Sequence, residues 1–77
     1  MRKPVRMPDV GAPSAVVSAW FVQPGERVYA GDRLVELLVG GATVDVSAAE
    51  AGVFLERTAG MDARVTSGQV LGYIEED

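Results

Sequence analysis

Glycine and proline interrupt this chain so often that no stretch between them is long enough for an ordinary helix. Turn signals fall at Pro8–Pro13, Pro24–Glu26, Ala30–Asp32, Gly40–Gly41, Ala51–Gly52, Gly60–Asp62 and Ser67–Gly68. The pieces left over are rich in Val, Leu, Ile, Phe and Tyr and run for about four to eight residues, strand length rather than the ~11 of a mean helix. Strands are predicted near Val5–Met7, Val16–Val22, Arg27–Tyr29, Leu34–Val39, Ala42–Ser47, Val53–Thr58, Arg64–Thr66 and Val70–Ile74. Ala48–Ala51 has room for one helical turn before Gly52, and Met1–Pro4 and Glu75–Asp77 are expected to be tails. Short strands at close, regular spacing predict an all-β sandwich or barrel.

One hairpin can be placed in register. Gly40 and Gly41 separate two apolar runs, and a two-residue loop of this kind suits a type I′ turn, whose central residues both need φ > 0. Val39 then faces Ala42, Leu38 faces Thr43, Leu37 faces Val44 and Glu36 faces Asp45. Alternation along each strand assigns Leu37, Val44 and Val46 to the core and Glu36, Thr43 and Asp45 to the other face. Placing two carboxylates opposite each other costs a few tenths to about 1 kcal/mol.

The chain also repeats itself. A shift of 37 residues relates Val28 to Val65, Gly31 to Gly68, Leu34 to Leu71, Leu37 to Ile74 and Val17 to Phe54. Two copies are too few for a solenoid, which needs at least about three. They fit two similar halves packed face to face about a pseudo-two-fold axis. The same shift puts Asp62 at the position of Gly25, where a left-handed backbone is expected, and Arg57 at the position of Trp20, where its aliphatic stem is expected to cover the core. Trp20 itself is expected to be structural, and Asp32 to cap the turn after Gly31.

Composition removes whole classes of function. With 77 residues the chain makes one domain, residues 1–77, with its core over about 4–75. It has no cysteine and no histidine, which excludes Cys/His metal sites, thiol nucleophiles and histidine bases. Seven basic residues against eleven acidic ones leave a net charge of −4, and the basic residues form no face fit for a nucleic acid. No apolar run reaches the ~18–20 residues of a membrane span, and the basic start is followed by no apolar leader. The expectation is a cytoplasmic, non-enzymatic domain, monomeric in isolation, with no metal and no concave catalytic site.

Several segments taken together resemble the biotinyl/lipoyl attachment domain family. They are Met7-Pro8-Asp9-Val10-Gly11, Trp20-x-Val22, Pro24-Gly25-Glu26-Arg27-Val28, Gly31-Asp32-x-Leu34-x-Glu36, Ala42-Thr43-Val44-Asp45-Val46, and Val65-x-x-Gly68-Gln69-x-Leu71-Gly72-x-Ile74. The Met7–Gly11 opening and the Ala42–Val46 segment make the likeness nearest to the lipoyl domains of 2-oxo acid dehydrogenase acyltransferase components rather than to biotinyl members, which carry a Met-Lys-Met tip. It implies a flattened β-barrel, the barrel-sandwich hybrid, of two four-stranded antiparallel sheets with pseudo-two-fold symmetry. It also implies a carrier function: lipoyllysine at a hairpin tip, visiting the active sites of protein partners in a multienzyme complex.

The tip departs from that pattern. Where the family reads Glu-x-Glu-Thr-Asp-Lys-Ala, this chain reads Glu36-Leu37-Leu38-Val39-Gly40-Gly41-Ala42. Gly40 and Gly41 stand at the Asp-Lys position, and the chain's only lysine is Lys3, which the family fold places at the far end of the molecule. No cofactor is therefore expected, lipoate being the family's. Leu38 and Val39, with Glu36 and Asp45, are candidate contacts for a partner. The alternative function is a structural or protein-interaction module on the same scaffold, as in membrane-fusion adaptors, which the Met7–Gly11 and Ala42–Val46 segments fit less well.

Overall fold

Eight strands form, and each carries one of the predicted apolar runs. A computed structural model describing residues 1–77 contains β1 (Arg2–Arg6), β2 (Ala15–Trp20), β3 (Arg27–Val28), β4 (Arg33–Val39), β5 (Ala42–Ser47), β6 (Gly52–Arg57), β7 (Arg64–Val65) and β8 (Val70–Glu76). They build two four-stranded antiparallel sheets, ordered β1-β8-β6-β3 and β5-β4-β2-β7. This is the barrel-sandwich arrangement.

The 37-residue repeat is visible strand by strand. β2 and β6, β3 and β7, and β4 and β8 begin and end 37 residues apart. Loop hydrogen bonds repeat as well: Gly25 N–H donates to the Phe54 carbonyl at 2.8 Å, and Asp62 N–H donates to the Val17 carbonyl at 2.8 Å. Asp62 takes φ 66°, as its equivalence to Gly25 predicts. Each sheet draws strands from both halves, so the halves interlock rather than meet as two separate layers. β1 and β5 are also equivalent, but 41 residues apart: Val5 pairs with Gly72 as Val46 pairs with Val35. The extra four residues lie in the β1–β2 loop, which runs from Met7 to Ser14, whereas the β5–β6 turn is only Ala48–Ala51.

The core lies between the sheets, and every buried side chain in it is apolar. Phe54, Leu34, Leu37, Leu71, Val17 and Val65 are shut off from solvent altogether or nearly so. The Trp20 ring leans on Phe54 with centroids 5.5 Å apart, and its Nε1–H donates to the Ala59 carbonyl at 2.8 Å. Thus the polar edge of a half-buried indole is satisfied while its body covers the core. Asp32 caps its turn by accepting from the Tyr29 N–H at 2.8 Å.

Three expectations need correcting. The ends are not tails: Arg2 pairs with Glu75 and Lys3 with Ile74, because an edge strand gains backbone pairing whatever its side chains are. Pro4 is tolerated there since an edge strand has one unpaired side. Ala48–Ala51 forms a bend, not a helical turn, because four residues must carry the chain from one sheet to the other. Arg57, the equivalent of Trp20 in the repeat, is exposed.

Candidate functional site

The β4–β5 hairpin pairs as its turn demands. Val39 faces Ala42, Leu38 faces Thr43, Leu37 faces Val44 and Glu36 faces Asp45. Gly40 has φ 53° and Gly41 φ 88°, so both central residues occupy the left-handed region that a type I′ turn requires. A Cβ built on either glycine meets nothing within 4 Å. The tip projects into open space and offers backbone alone.

Alternation sorts the flanking residues. Leu37 is fully buried and Val46 nearly so, with Val44 half-buried above them. Val39 faces the same way and packs on the edge of the core, while Leu38 stands on the outer face, 42% exposed. The two apolar residues therefore do not form one docking surface. Leu38 lies in a row with Val16 and Thr43, its partners on the neighbouring strands, and Val16 is paired in turn with Arg64.

Glu36 and Asp45 sit side by side on that outer face, and each carboxylate has its own partner. Ser18 donates its hydroxyl to Glu36 Oε1 at 2.9 Å, and Arg33 Nη1 approaches Asp45 Oδ2 at 3.4 Å. The Arg33 guanidinium also lies 4.6 Å from the centroid of the Phe21 ring. These neighbours relieve the repulsion that the register imposes. They also leave less free negative charge than the sequence suggests.

The hairpin tip, closed by Gly40 and Gly41, carries no side-chain amine. Attachment needs a side-chain amine, and glycine has none. Lys3 lies on β1 beside Ile74, near the paired chain ends, where Glu76 N–H donates to the Met1 carbonyl at 2.9 Å. The pseudo-two-fold axis exchanges that end with the hairpin tip, so Lys3 is at the opposite end from the turn.

A concave site that sequence reasoning missed opens elsewhere, along the seam between β1 and β5. It is a cleft of about 180 Å³ bordered by Lys3, Arg6 and Glu50. The residues involved are far apart in sequence and share no motif, so only the topology brings them together.

Comparison with known proteins agrees with this geometry. Residues 3–74 match the model of the biotin/lipoyl family described as "Biotin-requiring enzyme". The chain belongs to this biotinyl/lipoyl attachment family. Among solved structures it is similar to the lipoyl domain of the 2-oxoglutarate dehydrogenase complex from Azotobacter vinelandii, with 25% identity, a TM-score of 0.77, and 95% of each chain covered. It also superposes on part of a single-chain, multi-domain long-chain acyl-CoA carboxylase, with a TM-score of 0.86 and 17% identity, over 99% of this chain and 7% of that one. The second likeness concerns the fold alone. No curated protein matches the sequence.

Proposed function

We propose that this chain is a lipoyl-type carrier domain of the 2-oxo acid dehydrogenase acyltransferase lineage that holds no lipoyl group. The lineage is supported by the 25% identity to a lipoyl domain over nearly all of both chains. The observation that carries the rest is the tip: Gly40 and Gly41 close a two-residue turn between Val39 and Ala42, with no amine anywhere in the hairpin. The domain is a scaffold and not a catalyst, and its work on this reading is done through the hairpin's outer face.

A second reading, a protein-interaction module on a barrel-sandwich scaffold, is favoured by one specific feature. Leu38 is exposed on the outer face of β4, next to Val16 and near Arg64, in a place where a carrier gains nothing from an apolar side chain. The two readings differ in origin and share a surface.

Coexpression with a lipoate ligase and, separately, a biotin ligase, followed by intact-mass measurement, tests the first reading. The wild-type chain is expected to keep its unmodified mass with both. The G40D/G41K double variant is expected to gain a lipoyl increment. An increment on wild type refutes the account of the tip, and an unmodified double variant shows that ligase recognition has decayed beyond the missing amine.

A further inference from the structure

The two sheets have four free edges, β1 and β3 on one and β5 and β7 on the other. Three of the four are guarded against pairing with another chain. β3 and β7 are two residues long, too short to template a further strand. β1 has five residues and carries two blocking devices. Pro4 has no N–H to offer, and Lys3 lies half-buried on the same side as buried Val5, so a strand laid alongside would bury an ammonium group.

β5 is the pseudo-symmetric equivalent of β1, and it lacks both devices. The 41-residue shift that relates Val5 to Val46 puts Val44 in the place of Lys3 and Asp45 in the place of Pro4. Its six residues, Ala42–Ser47, keep a regular register against β4 from Ala42 to Val46. Its single charge, Asp45, stands on the outer face and turns towards Arg33 of β4. The type I′ turn makes Val39 and Ala42 a hydrogen-bonded pair, and such pairs alternate along the hairpin. Ala42 and Val44 therefore bond to β4, whereas the N–H and C=O groups of Thr43 and Asp45 point the other way. No backbone hydrogen bond from a loop reaches any residue of β5.

We propose that β5 pairs with β5 of a second copy of this chain about a two-fold axis, joining their four-stranded sheets into one. Charge chooses the register. Antiparallel pairing centred on Asp45 sets two carboxylates against each other, which is destabilising. Centring on Thr43 shortens the overlap and sets Asp45 against Gly41 in the turn. Pairing centred on Val44 sets Thr43 of each copy opposite Asp45 of the other, a hydroxyl donor facing a carboxylate, and each such pair exchanges both its N–H···O bonds. The two half-buried Val44 side chains then meet at the axis and cover each other. One strand edge buries less than the ~1,200–2,000 Å² of a standard interface, so the association is weak, with a Kd on the order of 0.1–1 mM. This dimer replaces the expectation of a monomer in isolation, and it does not depend on what the tip carries.

The test is sedimentation equilibrium and amide NMR of the 77-residue chain across about 0.02–2 mM, a range that brackets this Kd. Salt at about 0.15 M screens the net charge of −4 on each copy beyond ~8 Å. Dimer mass is expected towards the upper end of the range, with shift changes centred on Ala42–Ser47 and slower hydrogen exchange at the Thr43 and Asp45 amides. Asp45→Pro removes an outward N–H that β4 does not use, and Pro4 shows that this position of the fold accepts proline. Val44→Lys copies the inward lysine of β1. Both variants are expected to keep the wild-type circular dichroism spectrum and to dimerise at least about tenfold more weakly, as for loss of strand hydrogen bonds or burial of a charge. A chain still monomeric at about 2 mM overturns the proposal. Shift changes centred on another edge or face overturn it as well, and so does undiminished dimerisation of whichever variant keeps its fold.

Discussion

Replacing Gly41 by lysine, a change that gives the tip an amine, also tests the conformation of the turn. At φ 88° a side chain with a Cβ sits beyond the centre of the left-handed well, near +57°. An L-residue held there costs about 1–2 kcal/mol. No steric clash adds to this, because nothing lies within 4 Å of the built Cβ. With an unfolding entropy of ~2.1 cal/mol/K per residue, ~0.16 kcal/mol/K for this chain, the loss corresponds to a fall in Tm of ~6–12 °C. Gly40 is different, since φ 53° lies inside the well that asparagine tolerates and Asn-Gly is a preferred type I′ pair. Gly40→Asn reduces the freedom of the unfolded chain and is expected to stabilise by about 0.4–1 kcal/mol, or ~2–6 °C. Thermal melts followed by circular dichroism on the two single variants decide the matter. A Gly41→Lys variant melting within about 2 °C of wild type, on a scale where 1 kcal/mol is ~6 °C, shows that the turn leaves type I′ freely and refutes the reasoning.

Three further outcomes are expected. Gly52→Ala places a Cβ 2.2 Å from the Glu75 carbonyl oxygen, forcing β6 and β8 apart, and should destabilise by about 1–3 kcal/mol in urea; an unchanged midpoint counts against the β6–β8 register. Trp20→Phe leaves the carbonyl of buried Ala59 without its donor and should cost about 1–3 kcal/mol in urea denaturation followed by circular dichroism, whereas a neutral result shows that water replaces the indole. Arg27 lies 2.8 Å from Asp77 and holds its carboxyl below the usual carboxylate range, chiefly through their hydrogen bond. The pair's contribution is therefore fully present above the unfolded value, ~3.9, and is lost as pH falls through the lower folded one. The melting-temperature difference between wild type and Asp77→Asn should be constant above about pH 4 and vanish below it; a gap that persists in acid excludes ionisation of Asp77 as its source.

The strands and the hairpin were legible because short-range rules decide them. Two glycines between alternating runs specify a turn, the turn sets the register, and the pairing of Glu36 with Asp45 follows. The repeat foretold the left-handed Asp62. What escaped depended on distant chain. Leu34 and Val35 are both buried, against alternation, because β4 shifts register between Arg33 and Val35. The polar ends became strands because β8 offers β1 a partner, and Lys3, Arg6 and Glu50 meet only through that closure. At the hairpin, Glu36, Leu38 and Asp45 share the outer face as alternation requires, but Val39 turns inward onto the core, which period two implied and a shared Leu38–Val39 surface overlooked.

These placements explain how a chain of this family folds with glycine at both tip positions. The buried residues closest in sequence to the turn are Leu37 and Val46, and neither glycine lies among the core residues. The pseudo-two-fold axis makes the same point from the other side, since the structure equivalent to the tip is the pair of chain ends, which also contribute nothing to the core. Positions 40 and 41 are therefore constrained only by the geometry of the turn itself. For a two-residue connection with φ > 0 at both places, glycine satisfies that constraint without strain. An attachment side chain at Gly41 is thus held by chemistry and opposed by backbone preference. Glycine rather than a side chain at position 41 favours the scaffold by about 1–2 kcal/mol.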